Sequence, residues 1–267
     1  MKPLILITND DGIFSPGLFA LAEVLADLGD LLVVAPAFQQ TSMGRSFPKG
    51  EEIGIIKEVD LALPSGNIKA YSVCGSPAQA VSYGLLELTE KTPELCVSGI
   101  NYGENVGNTL TCSGTVGACF EAVNHGIPSV ALSRQADLEI QSLSDYRKMD
   151  WSISKKVAAF IVGKILKQGF PENAAILNVN VPDQVNSDEI RLTSQSRHSY
   201  GGYIKPGKRD FNKGYQLISK FNVDFEALEK GSDMYSFYKD KVVTLTPIKY
   251  DFSTTIDWSA QGKIRFQ

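Results

Sequence analysis

The sequence has few histidines and cysteines and contains no long apolar run. It holds two histidines and four cysteines, and none of the cysteines forms a C-x-x-C pair. We therefore expect neither a zinc site nor a disulfide framework, and we interpret the cysteines as reduced thiols. No run of about 18 apolar residues could span a bilayer. Residues 1–11 become acidic too early for a signal-peptide core, so we expect a cytoplasmic protein with no membrane partner.

Positive charge is also scarce. The chain has 26 Lys and Arg against 30 Asp and Glu, a formal net charge of −4. Proteins that bind duplex nucleic acid depend on basic side chains that neutralise phosphates, so we expect no duplex nucleic acid as partner. The apolar share of 43% and the charged share of 21% are ordinary for globular proteins, which excludes wholesale disorder and a coiled coil.

Short apolar runs alternate with helical periodicity from residue 4 to about residue 182. This alternation predicts an α/β fold with three α/β/α layers and a Rossmann-like, mainly parallel sheet. Strands are predicted at 4–8, 31–35, 70–73, 95–98, 129–132 and 175–181, and helices at 16–28, 77–88, 115–124 and 150–167. We thus expect an α/β core at residues 1–182.

The pattern changes after residue 182. Glycine, proline and aromatic residues surround short strand-like pieces, which we predict at 215–219 and 242–246. Residues 183–267 are too polar and irregular for a core of their own. We therefore expect a β-rich C-terminal appendage that packs on the core or on a partner subunit and serves oligomerisation.

Two adjacent acidic residues follow the first predicted strand. Asp10 and Asp11 stand at its carboxyl end, where parallel α/β sheets bind ligands. At about 4 Å, two carboxylates repel each other by roughly 4 kcal/mol at an effective dielectric constant of about 20. A divalent cation would remove this repulsion. The alternative interpretation is a solvated turn that ends at Gly12 and caps the next helix.

Glycine and asparagine alternate after the predicted strand at 95–98. Gly99, Asn101, Gly103, Asn105 and Gly107 form a regular G-x-N-x-G-x-N-x-G. Glycine lets the backbone approach a ligand closely, and asparagine supplies an amide oxygen and amide donors. Because a merely flexible loop would not need asparagine in this register, we interpret the segment as part of a binding site.

Small and hydroxylated residues begin the predicted helix at 115–124. Ser113, Gly114 and Thr115 stand where a helix N-terminus offers unpaired N–H groups and the positive end of its dipole to an anion. Serine is also an ordinary N-cap there, so this segment alone leaves both interpretations open. Together, the three segments supply the carboxylates, amide oxygens and anion site that metal-assisted phosphate chemistry needs.

In order and spacing, these segments together resemble the SurE family of metal-dependent nucleotidases. The resemblance is carried by Ile7-Thr8-Asn9-Asp10-Asp11-Gly12, by Val34-Ala35-Pro36 with its hydroxyl-rich loop, by Ser98-Gly99-Ile100-Asn101 and by Ser113-Gly114-Thr115-Val116. It runs to about residue 182 and resumes more faintly at 195–197 and 243–247, and it implies that residues 1–182 form a metal- and nucleotide-binding core.

The resemblance implies a phosphomonoesterase that hydrolyses nucleoside 5′- and 3′-monophosphates, with exopolyphosphatase activity in some members. It implies one divalent cation per subunit, Mg²⁺ or Mn²⁺, held by Asp10, Asp11, a loop hydroxyl and Asn101. The family's usual serine falls on Thr41, so Thr41 or the adjacent Ser42 would supply the hydroxyl. Such an all-oxygen set favours a hard cation over zinc. Homodimers or homotetramers with exchanged C-terminal segments are also implied.

We predict a mechanism with Asp10 and Asp11 as the catalytic pair. Asp10, the better candidate, would orient the attacking water or accept its proton. The phosphate oxygens would be held by Asn9, Asn105, Ser113, Gly114 and Thr115. Two alternatives stay open: a nucleotide-binding or sensing protein without turnover, and a phosphatase for polyphosphate or another small phosphoester.

Overall fold

The computed structural model describes residues 2–64, 66–138, 140–141 and 146–253. The strands are β1 (Leu4–Thr8), β2 (Asp30–Pro36), β3 (Ile56–Leu63), β4 (Gly66–Val73), β5 (Leu95–Tyr102), β6 (Ser129–Arg134), β7 (Ile176–Val181), β8 (Ile190–Leu192), β9 (Gly201–Tyr203), β10 (Ser219–Phe221) and β11 (Val243–Ile248). The helices are α1 (Pro16–Leu25), α2 (Pro77–Glu87), α3 (Gly114–Asn124), α4 (Ser152–Gln168) and α5 (Asp233–Tyr238), and a 3₁₀ turn at Gly107–Thr111 precedes α3.

A nine-stranded sheet forms the middle layer, in the order β3-β4-β2-β1-β5-β6-β7-β11-β8. The strands from β4 to β7 in this order pair in parallel, whereas β3 and β11 run antiparallel to β4 and β7. Helices α1 and α4 cover one face, and α2 and α3 cover the other. The predicted three-layer, mainly parallel α/β fold is confirmed.

Strand β1 shows why the central strands are continuously apolar. All five of its residues are buried. Ile5 and Ile7 pack with the side chains of α1 and α4, whereas Leu4 and Leu6 pack with those of α2 and α3. Because helices cover both faces of the sheet, alternation between apolar and polar residues is absent here.

The predicted elements of the core are present, all but β1 with shifted ends, but the sequence missed β3. Its side chains Lys57, Glu58 and Asp60 are exposed, so the strand lacks the apolar run by which the others were found. The prediction of a strand at 215–219 is wrong, because only Ser219 lies in a strand, β10, which pairs with β9. The strand predicted at 242–246 is found as β11.

Residues after 182 join the core through the sheet. Strand β11 pairs with β7 on one side and with β8 on the other. Phe237 of α5 and Tyr200 pack in an apolar cluster with Val106, which belongs to the loop after β5. The division into residues 1–182 and 183–267, and the role of the second part in oligomerisation, stay predictions. Among the described residues, no helix has the length and apolar character needed to cross a membrane.

Candidate active site

The two acidic residues lie where the chain reverses its direction of travel across the sheet. From β1 the chain proceeds to β2 and β4 on one side, and it then returns to β5 and continues to β7 on the other. Strands β1 and β5 are neighbours, with Thr8 opposite Ser98. Open α/β sheets bind their ligands in the crevice at such a point. Asp10 and Asp11 follow β1 there, and Asn101 lies near the end of β5.

Asp10 is buried against the start of α3. Its Oδ1 accepts a hydrogen bond of 2.6 Å from the hydroxyl of Thr115. Gly114 packs closely on it, since a Cβ atom at Gly114 would lie 2.7 Å from Asp10 Oδ2. Burial raises the pKa of Asp10 to about 6, against the opposing effects of the Thr115 hydroxyl and of the Gly114 and Thr115 amides. The predicted anion site at the helix start thus faces the carboxylate of Asp10.

Asp11 is held by the end of β5 and by the loop after β2. Its Oδ2 accepts a hydrogen bond of 3.1 Å from the backbone N–H of Tyr102, and its Oδ1 accepts one of 3.4 Å from Gln39. Burial, and then the charge of Asp10, raise the pKa of Asp11 well above its usual range. Within the described ranges, no basic side chain forms a salt bridge with either carboxylate. The pair therefore lacks a positive partner from the described chain.

A small cavity of about 70 Å³ opens beside Asp10. Among the predicted metal ligands, Asp10, Thr41, Ser42 and Asn101 line it, and so do the predicted substrate contacts Asn105 and Ser113. These residues come from segments far apart in sequence. Asp11, Gly114 and Thr115 are not in its wall, but each lies beside Asp10 in the chain or contacts it.

Tight packing on α3 fixes the hydroxyl-rich loop after β2, residues 41–46. The backbone N–H of Gly44 donates to Cys112 O at 3.0 Å, and a Cβ atom at Gly117 would lie 2.2 Å from Gly44 O. The hydroxyl of Thr41 donates to Gln141 O at 3.2 Å, while Ser42 adopts a positive φ of 65°. The loop therefore brings both candidate hydroxyls to the cavity, and Gly117 is glycine because no larger residue would fit.

Asn101 has an amide oxygen available. Its Nδ2 donates to Gly103 O at 2.7 Å, which orients the side chain. Its Oδ1 accepts no hydrogen bond from any described residue. Because an amide oxygen is a neutral ligand for hard cations, this geometry suits the role predicted for Asn101.

Asn105 is held in place by buried asparagines that sequence analysis missed. Its backbone N–H donates to Asn180 Oδ1 at 2.7 Å, and its carbonyl accepts from the side-chain amides of Asn178 and Asn180. Its own Nδ2 donates to Ser133 Oγ at 2.8 Å. The signal for these residues was two asparagines inside an otherwise apolar strand, since buried amides require partners.

Asn9 has a local structural role in this conformation. Its Nδ2 donates to Gly12 O at 3.0 Å, and its Oδ1 accepts from Gly12 N at 3.1 Å. Asn9 does not line the cavity. These bonds close the turn that carries both aspartates, and the predicted contact of Asn9 with phosphate stays a prediction.

Two tyrosines of the C-terminal segment contact Glu104, which the sequence did not indicate as a site residue. Glu104 lines the cavity, and its Oε1 accepts a hydrogen bond of 2.6 Å from the hydroxyl of Tyr238 in α5. Burial raises the pKa of Glu104. Tyr200 also lines the cavity and donates to Glu104 O at 3.1 Å. Nothing in the sequence predicts these contacts, because they join positions about a hundred residues apart.

The donor atoms around the cavity suit a hard divalent cation. Within the described part of the chain, no three His, Cys, Asp or Glu side chains are grouped to hold a metal ion. A cation here would thus depend on hydroxyl and amide oxygens as well as on the carboxylates. Mg²⁺ is commonly held by one or two carboxylates and retains several waters. Two buried carboxylates that lack a positive partner fit this requirement.

A known protein family matches most of the chain. The model of the family "Survival protein SurE" matches residues 5–202. The chain belongs to the SurE family. The matched region contains every predicted site residue and extends past β7 into the segment of β9.

Curated SurE proteins match almost the whole chain. The "5′-nucleotidase SurE" of Thermococcus gammatolerans is 36% identical over 266 residues, which cover 98% of this chain and 96% of that protein. The one from Methanosarcina mazei is 35% identical over 264 residues, covering 97% and 96%. The crystal structure of the SurE protein from Aquifex aeolicus superimposes with a TM-score of 0.73 at 31% identity and covers 94% of this chain and 95% of that one.

Proposed function

We propose that this SurE protein is a phosphomonoesterase that hydrolyses nucleoside monophosphates to nucleoside and phosphate with the help of one divalent cation per subunit. The observation that carries the proposal is the buried, adjacent pair Asp10 and Asp11, which lacks a positive partner among the described residues and faces hydroxyl and amide oxygens. The names of the relatives support a 5′-nucleotidase activity.

The cation, Mg²⁺ or Mn²⁺, is assigned to Asp10, Asp11, Asn101 and the hydroxyl of Thr41, with Ser42 as the alternative donor. When bound, it supplies positive charge that polarises a phosphoryl oxygen and lowers the pKa of water. Thr115 orients the carboxylate of Asp10 toward the reacting groups through its 2.6 Å hydrogen bond. The carboxylate orients the attacking water and accepts its proton, a role that suits an acid whose pKa burial raises to about 6.

Substrate phosphate is held beside Asp10, by the start of α3 and by Asn105. Ser113 offers its hydroxyl as a donor, and α3 offers the positive end of its dipole. Asn105 presents its side chain from a loop that four hydrogen bonds to β6 and β7 make rigid. Rigid donors stabilise the charge that develops on the phosphoryl oxygens without reorganisation during the reaction.

Further parts of the proposal concern substrate range and assembly. Activity on 3′-monophosphates and on the ends of short polyphosphate, and a homodimer or homotetramer in solution, are expected by resemblance to the family. A substrate panel tests the first two, and light scattering on the purified protein tests the assembly. Release of phosphate from sugar phosphates but not from nucleotides would indicate another small phosphoester as substrate.

The experiment that tests the proposed function measures phosphate release from a nucleoside monophosphate with added Mn²⁺ or Mg²⁺ and with excess chelator. We expect turnover with metal and none with chelator. The Asp10→Asn variant should lose turnover by about 10²–10⁴-fold, the range of a general base, while it keeps its fold, because an amide oxygen can still accept the bond from Thr115.

The matched control is Asp30→Asn, which changes an exposed acid at the amino end of β2 and should leave turnover unchanged. Full activity of Asp10→Asn would remove this residue from the mechanism. Nucleotide binding without phosphate release by the unmodified protein would instead indicate a sensor.

A further inference from the structure

A second cavity lies next to the candidate active site. It has a volume of about 430 Å³. Ser113 lines both this cavity and the small one that contains Asp10, and residues of the loop 41–45 also contribute to both. A ligand whose phosphate occupies the first cavity can therefore extend past Ser113 into the second. A volume of this size is typical of sites for small molecules.

Three aromatic side chains line the second cavity. The ring of Phe120 on α3 lies 5.8 Å from that of Tyr250 and 5.5 Å from that of Phe252, measured between centroids. Phe252 is 76% exposed, and Tyr250 is 40% exposed. Aromatic rings that are open to solvent and edged by polar groups offer faces on which a planar ring can stack.

The charge at the edge of this cavity is already balanced. Arg45 donates through Nε to Glu121 Oε2 at 2.7 Å and through its terminal nitrogen to the hydroxyl of Tyr250 at 2.7 Å. Glu121 is buried, so its negative charge offsets that of the guanidinium. The cavity therefore suits a neutral ring better than a second phosphate group.

One polar side chain of this cavity has a hydrogen-bond acceptor that no described residue uses. Gln195 lines the second cavity and donates through Nε2 to Gly107 O at 2.9 Å, so its Oε1 is the remaining polar atom. No described residue donates to that oxygen. Each of the common nucleobases carries at least one ring or exocyclic N–H that an amide oxygen can accept.

We propose that the second cavity binds the nucleobase of the substrate, with Phe120, Tyr250 and Phe252 as stacking partners and Gln195 as acceptor. The proposal rests on the proposed function, since it takes the phosphate to occupy the cavity beside Asp10. It assigns affinity for the nucleoside part to residues that take no part in the chemistry.

The test compares two substrates in the Phe252→Ala and Phe120→Ala variants. Adenosine 5′-monophosphate carries a base, and glycerol 2-phosphate does not. We expect kcat/KM for the nucleotide to fall about tenfold in each variant, the typical effect of losing one base–aromatic contact, with less than a twofold change for glycerol 2-phosphate. Phe252 is largely exposed, so its truncation leaves the fold intact. Phe160→Ala is the matched control, because Phe160 is a 60% exposed phenylalanine on α4.

Two results would overturn the nucleobase site: unchanged kcat/KM for the nucleotide in both variants, or an equal fall for both substrates. Calorimetry with adenosine separates this proposal from the proposed function, because adenosine has no phosphate to release. If the unmodified protein hydrolyses neither substrate, the proposed function fails. In that case adenosine binding that weakens in Phe252→Ala supports the nucleobase site, and absence of adenosine binding overturns it.

Discussion

At the scale of single residues, the site depends on which oxygen atoms face the cavity. Thr41 and Ser42 both line it, but their backbones differ. Ser42 adopts a positive φ of 65°, which is uncommon for a residue with a side chain, whereas Thr41 does not. The hydroxyl of Thr41 donates a hydrogen bond to the carbonyl of Gln141 in this conformation. Rotation of the Thr41 side chain would free this hydroxyl for a cation.

We expect Thr41→Ala to raise the metal concentration for half-maximal activity by about tenfold or more, as loss of a metal contact does. Thr41→Ser should restore the original value, because it returns the hydroxyl. Ser42→Ala serves as the adjacent control and should change little. Titration of activity with Mn²⁺ gives these values, and the reverse order of effects would make Ser42 the ligand.

The packing between α3 and the hydroxyl-rich loop depends on Gly117. A Cβ atom there would lie 2.2 Å from Gly44 O, and neither backbone can yield without moving the other. We expect Gly117→Ala to lower the free energy of unfolding by about 1–3 kcal/mol and to reduce turnover by displacing Thr41. Urea denaturation and phosphate release measure the two effects.

Gly163→Ala is the matched control for Gly117→Ala. Gly163 is also inside a helix, α4, but a Cβ atom there would meet no atom within 4 Å. Alanine should raise the free energy of unfolding by about 0.5–1 kcal/mol, because glycine is costly in a helix interior. Destabilisation by both substitutions would show that the close contact at Gly44 is not the cause.

At the scale of elements, the short helix α5 positions the glycine-rich loop after β5. Asp233 begins α5, is fully buried, and accepts three backbone N–H groups. They come from Gly107 at 2.9 Å, Ser196 at 2.8 Å and Met234 at 2.7 Å. One carboxylate thus ties the start of the 3₁₀ turn before α3 to two C-terminal segments.

Asp233→Asn should therefore affect both stability and catalysis. An amide cannot accept at both of its ends, so a buried N–H loses its partner, at a cost of about 1–3 kcal/mol in the free energy of unfolding. We expect kcat to fall while the metal concentration for half-maximal activity stays the same, because Asp233 contacts no proposed metal ligand. Asp224→Asn, an exposed acid that accepts one local N–H, is the control and should leave both unchanged. A purely structural role would lower the unfolding free energy alone.

At the scale of the whole molecule, the buried acid pair links stability to pH and to metal. The pKa of Asp10 is raised from 3.8 to about 6 in the folded protein. Between these two pH values, the folded state therefore binds more protons than the unfolded state. Its contribution to stability is fully present below pH 3.8 and is lost as the pH rises through about 6. Asp11 shifts in the same direction.

In the presence of excess chelator, we expect the contribution of this pair to the free energy of unfolding to fall as the pH rises from about 4 to about 6. Divalent cation should reverse the trend, since it binds the deprotonated pair, and at 100 times its dissociation constant it adds about 2.7 kcal/mol. Urea denaturation at pH 5 and pH 7, with and without Mg²⁺, measures both effects. Asp11→Asn is the comparison variant, and an equal effect of Mg²⁺ in this variant would contradict a site that includes Asp11.

How much the sequence determined differs between the fold and the site. The apolar runs and the Ser113 cap were sufficient to predict the central strands and α3, because their signals are local. The edge strand β3 was not predicted, and the strand near β10 was predicted at the wrong residues, because exposed strands carry no continuous apolar run. Asn178 stands out in the sequence as a polar residue of an apolar strand, but neither its partner nor those of Asp233 could be predicted, because Asn105 and Gly107 lie far away from them in the chain.

The sequence by itself determined which chemical groups are available to the candidate site: two acids after the first strand, asparagines in register after the predicted strand at 95–98, and small hydroxylated residues before a helix. Each depends only on neighbours in the chain, so each can be read without coordinates. The tertiary structure decided which atoms meet. Asp10 packs on the start of α3, and the side-chain amide of Asn9 is hydrogen-bonded to Gly12. Helix α5 contacts the glycine-rich loop. Such contacts arise from the order of strands in the sheet and from packing between distant segments, and local sequence patterns carry no information on either.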